Sequence, residues 1–180
     1  EEMEKNYEGY NRSVKEIMLS SKNSKLSGVK LYGTVSELIS ADKKISLAID
    51  AALGASLQFL VVDDETDAKT CIEFLKKNSL GRATFLPVSS VKGQSFKERA
   101  VLKEKGVLGV ASELVKNDEK FSGIIESLLA RTIIVDGYEN SVSIMKKYNY
   151  AFRISTLEGE ILNPGGSITG GNISKSAGLL

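Results

Sequence analysis

Two short apolar runs constrain this chain more than anything else in it. Leu57-Gln58-Phe59-Leu60-Val61-Val62 and Thr132-Ile133-Ile134-Val135 each stop at an aspartate, Asp63 or Asp136. Each is followed by a stretch of helical spacing that ends in two lysines, Lys76-Lys77 or Lys146-Lys147. A strand candidate carrying an arginine comes next: Arg82-Ala83-Thr84-Phe85-Leu86 in the first case, Phe152-Arg153-Ile154-Ser155 in the second. Short, continuously apolar runs belong to strands buried on both faces. Strand, helix and strand in that order predict an α/β (α+β mixed) fold, and the recurrence predicts two similar small lobes with mixed sheets flanked by helices. The likeness is loose, and two unrelated β-α-β units would also show it.

The other elements fit around these. Ile45, Ala48, Ile49, Ala52 and Leu53 form a helical stripe, stopped by Gly54. Ala68, Cys71, Ile72 and Leu75 carry the helix of the first repeat; Val142 and Met145 carry that of the second. Pro87 is expected to close the strand before it. Residues 88–105 are polar and irregular, with a short helix expected around Ser95–Lys103, and mark a boundary between lobes at 28–105 and 106–171. Val107–Val110 reads as a strand, and Phe121–Leu129 as a helix with Ile124, Ile125, Leu128 and Leu129 inward. Glu158-Gly159 sits at the turn of a hairpin. At the start, Met3, Tyr7, Tyr10, Val14 and Ile17 are spaced 4-3-4-3, a coiled-coil rhythm that predicts one helix over residues 1–20. Gly9 would lie inside that helix at a cost of roughly 1 kcal/mol. A serine-rich connector is expected at 21–27.

Composition removes several functions. The chain has no histidine, so the commonest general base, metal ligand and pH switch is missing. Its 24 Lys and Arg against 23 Asp and Glu give no global pull towards nucleic acid or anionic lipid. The lack of Trp weakens the case for a base-stacking platform. A lone Cys71 in an apolar stripe excludes an internal disulfide and fits a cytoplasmic setting. No run of about 18 apolar residues is available to span a membrane. The acidic start, Glu1-Glu2-Met3-Glu4-Lys5, is unlike a signal peptide and fits a piece of a longer chain.

Three features could carry function. The glycine stretch Asn163-Pro164-Gly165-Gly166-Ser167-Ile168-Thr169-Gly170-Gly171 is the most specific. A phosphate cradle needs a lysine and a helix after the glycines, and Gly171-Asn172 stands where that lysine should be. Residue types leave two readings level: a tight internal turn, or close approach of another backbone. The acids Asp63, Asp64, Glu65 and Asp67 could ligate Mg²⁺, but they equally suit a helix N-terminus, and Asp136 with Glu139 repeats the arrangement. The lysine pairs Lys43-Lys44, Lys76-Lys77 and Lys146-Lys147, with Arg82 and Arg153, read as solvated helix ends or, gathered on one face, as phosphate-backbone contacts. No histidine is present to activate a serine or threonine.

Three blocks resemble the hinge domain of bacterial SMC (structural maintenance of chromosomes) proteins. They are Gly81-Arg82-Ala83-Thr84-Phe85-Leu86-Pro87, Arg131-Thr132-Ile133-Ile134-Val135-Asp136, and Thr156 through Gly171. The resemblance covers about Gly28 to Gly171; Ala130 departs from it, where the family often has Gly. Glu8-Gly9-Tyr10 through Ile17-Met18 also looks like the family's exit from a coiled-coil arm. The resemblance implies a homodimerisation hinge of a chromosome condensation and segregation ATPase, joining two arms, with ATP binding in a head outside this chain. It implies a two-fold homodimer paired through Gly165, Gly166, Ser167, Ile168, Thr169, Gly170 and Gly171. It also implies weak DNA binding, single-stranded in some members, here through Lys43, Lys44, Lys76, Lys77, Arg82, Lys146, Lys147 and Arg153. Residues 1–20 become an arm stub and 172–180 the exit towards the returning arm. No catalytic residue, metal or cofactor is expected, and the implied location is cytoplasmic and nucleoid-associated. The alternative is a nucleotide- or metabolite-binding α/β domain.

Overall fold

The computed structural model describes residues 9–23 and 25–173. The first half runs α1 (Arg12–Lys22), β1 (Leu31–Thr34), α2 (Val35–Leu38), β2 (Ile39–Ser40), α3 (Lys43–Leu53), β3 (Leu60–Val62), α4 (Glu65–Lys77) and β4 (Phe85–Pro87). The second runs β5 (Val107–Val110), α5 (Ala111–Leu114), β6 (Lys116–Asn117), α6 (Ser122–Leu129), β7 (Thr132–Val135), α7 (Tyr138–Lys147), β8 (Arg153–Thr156), β9 (Ile161–Leu162) and β10 (Ile168–Thr169). The fold is mixed α/β, as the two apolar runs predict.

Both runs become interior strands. One sheet has the order β1-β3-β4 and the other β10-β9-β8-β7-β5. In each, the interior strand pairs antiparallel with the strand before it and parallel with the strand after its helix. Both faces are covered, which is why the runs are apolar without alternation. Ile133 and Val135 pack with Met145, Phe152 and Ile154, while Ile134 faces Ile49, Val61 and Leu129. Leu60 joins Val14, Ile17, Cys71 and Leu75 on the first sheet's outer face. The largest core cluster draws on both halves, from Val35 and Ile49 to Ala111, Ile124 and Leu129.

The internal repeat runs deeper than the strand–helix–strand pattern. Leu31-Tyr32-Gly33-Thr34-Val35-Ser36-Glu37-Leu38 matches Val107-Leu108-Gly109-Val110-Ala111-Ser112-Glu113-Leu114 in position and structure. The pairing register shifts beside Gly33 in one and beside Gly109 in the other, at φ of 132° and 153°. The helices α4 and α7 end alike. Leu80 N–H returns to the Leu75 carbonyl at 3.0 Å and Tyr150 N–H to Met145 at 2.8 Å, with Ser79 and Asn149 left-handed. The strands β2 and β6 pair with each other and stitch the halves together (Ile39↔Asn117, Ser40↔Lys116).

Several expectations shift. The helix expected over residues 1–20 is broken: Gly9 has φ +88° and Asn11 is extended, so α1 starts at Arg12. Met3 and Tyr7 lie outside the described residues, whereas Val14 and Ile17 are buried against the first sheet. The connector is shorter than expected, since α1 reaches Lys22 and Leu26 is buried. Only the second half of Leu57–Val62 is strand; Gly54–Gln58 form a 3-10 turn. Pro87 ends β4 from inside it. At the edge of a parallel pair, where Thr84 carbonyl and Val88 N–H bond β3, its missing N–H costs no ladder bond. Ile72 is 40% exposed rather than buried with Cys71 and Leu75.

Candidate dimerisation edge

The glycine stretch folds as a hairpin. Pro164 follows Asn163, whose carbonyl accepts Gly166 N–H at 2.8 Å; Gly166 then takes φ +95°, and Asn163 N–H bonds Ser167 carbonyl at 2.9 Å. This is a type I turn closed by a left-handed residue, the usual three-residue hairpin loop, and the left-handed position explains Gly166. Nothing after the turn resembles a phosphate cradle: the described chain continues as strand β10, not as a helix. Gly165 has neither a left-handed φ nor a neighbour within 4 Å of an added Cβ, so the single chain gives no reason for a glycine there.

The strand this hairpin delivers is an open edge. Asn163–Ser167 is a hydrogen-bonded pair, so by antiparallel alternation Thr169 also turns its polar groups to β9. The N–H and C=O of Ile168 therefore point away from the sheet. Residues 164–172 are all exposed, and the Ile168 side chain is 48% exposed. A bare, apolar edge of this kind is a template for another strand.

Beneath the hairpin, Val142, Met145, Tyr150, Leu162, Gly166 and Ile168 line a groove with only about 60 Å³ left in it. Its counterpart in the first half is open. Ile72, Leu75, Lys76, Gly81, Arg82 and Ala83 line a groove of about 310 Å³ beside β4. Ile72 and Leu75 hold on α4 the places that Val142 and Met145 hold on α7. Among the described residues, no strand lies beyond β4 to cover them.

The basic residues have different surroundings. Lys76 and Arg82 share the open groove. Lys43 and Lys44 occupy the first turn of α3, and Lys77 and Lys146 are exposed at the ends of α4 and α7. Lys147 is held by Glu104 at 2.8 Å, which also accepts the Tyr148 hydroxyl at 2.9 Å. Those two hydrogen bonds hold the Glu104 carboxyl below its ordinary range, and the same carboxylate raises Lys147. Arg153 points inward. Its guanidinium donates to the Ala52 carbonyl at 2.6 Å and to Thr132 Oγ1 at 3.1 Å, and burial lowers its pKa. It clamps the end of α3 onto the second sheet. Arg131, not singled out by its residue type, makes a two-pronged bond to Glu98 at 2.6 and 3.0 Å.

Asp63, Asp64 and Asp67 place carboxylate oxygens within 4.8 Å of one another, near enough to share a cation. Two of the three carboxylates have structural work. Asp63 accepts the Tyr32 hydroxyl at 2.8 Å, and Asp64 caps α4 by accepting Asp67 N–H at 3.0 Å. Cys71 is buried, and burial, aided by Asp67, pushes its thiol up to about 11, where it is unreactive at neutral pH. No helix among the described residues is long and apolar enough to cross a membrane.

Comparison with known proteins accounts for this arrangement. The family model described as the SMC proteins flexible hinge domain matches residues 28–145. The chromosome partition protein Smc of Clostridium kluyveri is 42% identical over 173 residues, 95% of this chain. That of Bacillus subtilis is 40% identical over 178 residues, or 97%. The chain spans about 15% of the length of these relatives. Among solved structures, an asymmetric dimer of the Geobacillus stearothermophilus SMC hinge domain superposes with a TM-score of 0.88 at 34% identity, covering 98% of this chain and 71% of that one. The Pyrococcus furiosus Smc hinge domain with an extended coiled coil gives 0.75 at 32%, covering 96% and 58%. A two-lobed α/β body, an open glycine-rich edge and this match over most of the chain lead to one conclusion: the chain belongs to the SMC hinge domain family.

Proposed function

We propose that this chain is the homodimerisation hinge of a chromosome condensation and segregation ATPase, joining two coiled-coil arms. The observation that carries the reading is the mismatch between the two grooves. The second half covers its groove with the β9–β10 hairpin; the first half has the groove and the strand edge but, among the described residues, no hairpin. A second copy supplies one. β10 of each copy adds beside β4 of the other, and the two contacts close around a two-fold axis. Gly165, Gly166, Ser167, Ile168, Thr169, Gly170 and Gly171 form the donor side, and Ile72, Gly81 and Ala83 line the acceptor side. The absence of a side chain at Gly165 then lets the partner's backbone come near. The relatives' solved dimer and extended coiled coil support this reading.

Sedimentation equilibrium tests it. Gly165→Asp strains nothing in the single chain and should yield a folded monomer. Ile72→Asp, on the other surface, should do the same. A mixture of the two variants should recover a weaker dimer through its one intact contact. If Gly165→Asp remains a dimer, the pairing edge is elsewhere; if only Ile72→Asp does, β10 pairs with β10.

The same proposal includes weak DNA contact without base reading, supported by the exposed ammonium groups of Lys43, Lys44, Lys77 and Lys146. Affinity for a fluorescent single-stranded oligonucleotide should fall steeply with salt and drop with Lys→Glu changes at these positions. A flat salt response removes this part alone. ATP hydrolysis is assigned to a head outside this chain, and the location is cytoplasmic.

A further inference from the structure

The point where the chain enters the domain is fastened by a set of contacts around Tyr10. Gly9, at φ +88°, turns the backbone just before α1. Tyr10 packs its ring against the cluster around Val14, Ile17 and Leu60. Its hydroxyl lies 3.0 Å from Thr34 Oγ1 and 3.1 Å from Ser36 Oγ. Thr34 is itself fully buried and caps α2, with its N–H bonded to Glu37 at 3.0 Å. The Gln58 carboxamide grips the backbone on both sides of Tyr10. Its Oε1 accepts Asn11 N–H at 2.7 Å, and its Nε2 donates to the Gly9 carbonyl at 3.5 Å.

The sequence around this point supports a second conformation. Tyr10, Val14 and Ile17 continue the 4-3-4-3 stripe that starts at Met3 and Tyr7. A helix running straight through Gly9 would keep all five residues on one face. The bent path leaves that helix unformed at Gly9–Asn11 and replaces it with side-chain bonds from Gln58, Thr34 and Ser36.

We propose that Tyr10 and Gln58 form a latch that fixes the direction in which the chain enters the domain, and that opening it lets Gly9–Asn11 join α1 as helix. The latch reaches further than the entry point. Thr34 and Ser36 belong to the β1–α2 unit, which continues into β2, the strand paired with β6 of the second half. The entry angle is thereby tied to the element that joins the two halves. The ligands of the latch are this chain's own residues, so the inference stands whether or not β10 is the pairing edge.

Spin labels at Lys5 and Lys69, in the Cys71→Ala background of this chain, read the angle by pulsed electron resonance distances. Spin-diluted samples exclude distances between copies. The unsubstituted latch should give one main distance. Tyr10→Phe, which keeps the ring, and Gln58→Ala should each add a second distance, with the minor population rising at least about fivefold in the double variant. Adding Gly9→Ala, which disfavours the left-handed turn, should raise it further. An unchanged distribution in Tyr10→Phe, Gln58→Ala and the double variant would overturn the proposal, as would a broad distribution with the latch intact. Tyr10→Phe keeps the reading available if the double variant unfolds.

Discussion

The two halves begin alike and finish differently. Each opens with a strand bent at a glycine and a four-residue helix, then places an apolar strand at the centre and a lysine-ended helix across it. The first half stops at β4, with its groove open; the second adds two strands and nearly fills the same groove. The interiors differ as well. Ring packing of Phe152 against Phe96 and Tyr148, at centroid separations of 5.5 and 5.8 Å, fills the second half. Leu80, Leu75 and Cys71 serve the first. The difference teaches that a repeated layout need not make two equivalent lobes. One lobe carries a hairpin that the other lacks among the described residues.

Four substitutions sharpen that contrast, beginning with the largest. Phe152→Ala removes a fully buried ring and should cost about 3–5 kcal/mol in urea unfolding, against about 2–4 kcal/mol for Leu80→Ala in the first half. Equal costs would mean that the two interiors carry similar weight after all. Arg153→Met should cost about 1–3 kcal/mol, because the Ala52 carbonyl loses a charged donor. The effect should concentrate on the second sheet, since α3 packs against its strands β7 and β8; hydrogen exchange should show faster opening at the end of α3. The smallest effect concerns the segment joining the halves. The Arg131 hydrogen bond holds Glu98 below the ordinary carboxylate range. A depressed carboxyl stabilises the fold above its unfolded value and loses that contribution as pH falls through the folded one. With side chains 43% and 30% exposed, the pair should contribute less than about 1 kcal/mol. Glu98→Gln should therefore slightly lower the melting temperature at pH 7 and leave it unchanged near pH 2.

Much of this was readable from the residues, for identifiable reasons. Every member of the stripe Ile45, Ala48, Ile49, Ala52 and Leu53 is buried as expected, because helical spacing and burial report the same thing there. The interior strands were readable because both their faces are covered. Leu57 misled, because a buried turn residue is as apolar as a strand residue. Gly9 misled because a heptad stripe records which residues share a face, not the side-chain bonds that can break the helix carrying it. The repeat of Gly33 through Leu38 in Gly109 through Leu114 carries almost no periodic signal, since its helices are four residues long. The glycine stretch stayed divided between a turn and the close approach of another backbone because residue types suit either. Gly166 turns the chain, and Ile168 presents the edge. Charge type alone could not separate Arg153, spent on the Ala52 carbonyl, from the exposed lysines.

The β2–β6 ladder has a consequence for stoichiometry. The proposed pairing of β10 with the groove beside β4 would define a rotation from each copy to the next, and that rotation decides whether an assembly closes or propagates. The shared core sets the rotation, and this ladder, only two residue pairs long, helps hold it. Loosening the ladder would leave each contact intact and change how many copies are needed to complete a circle.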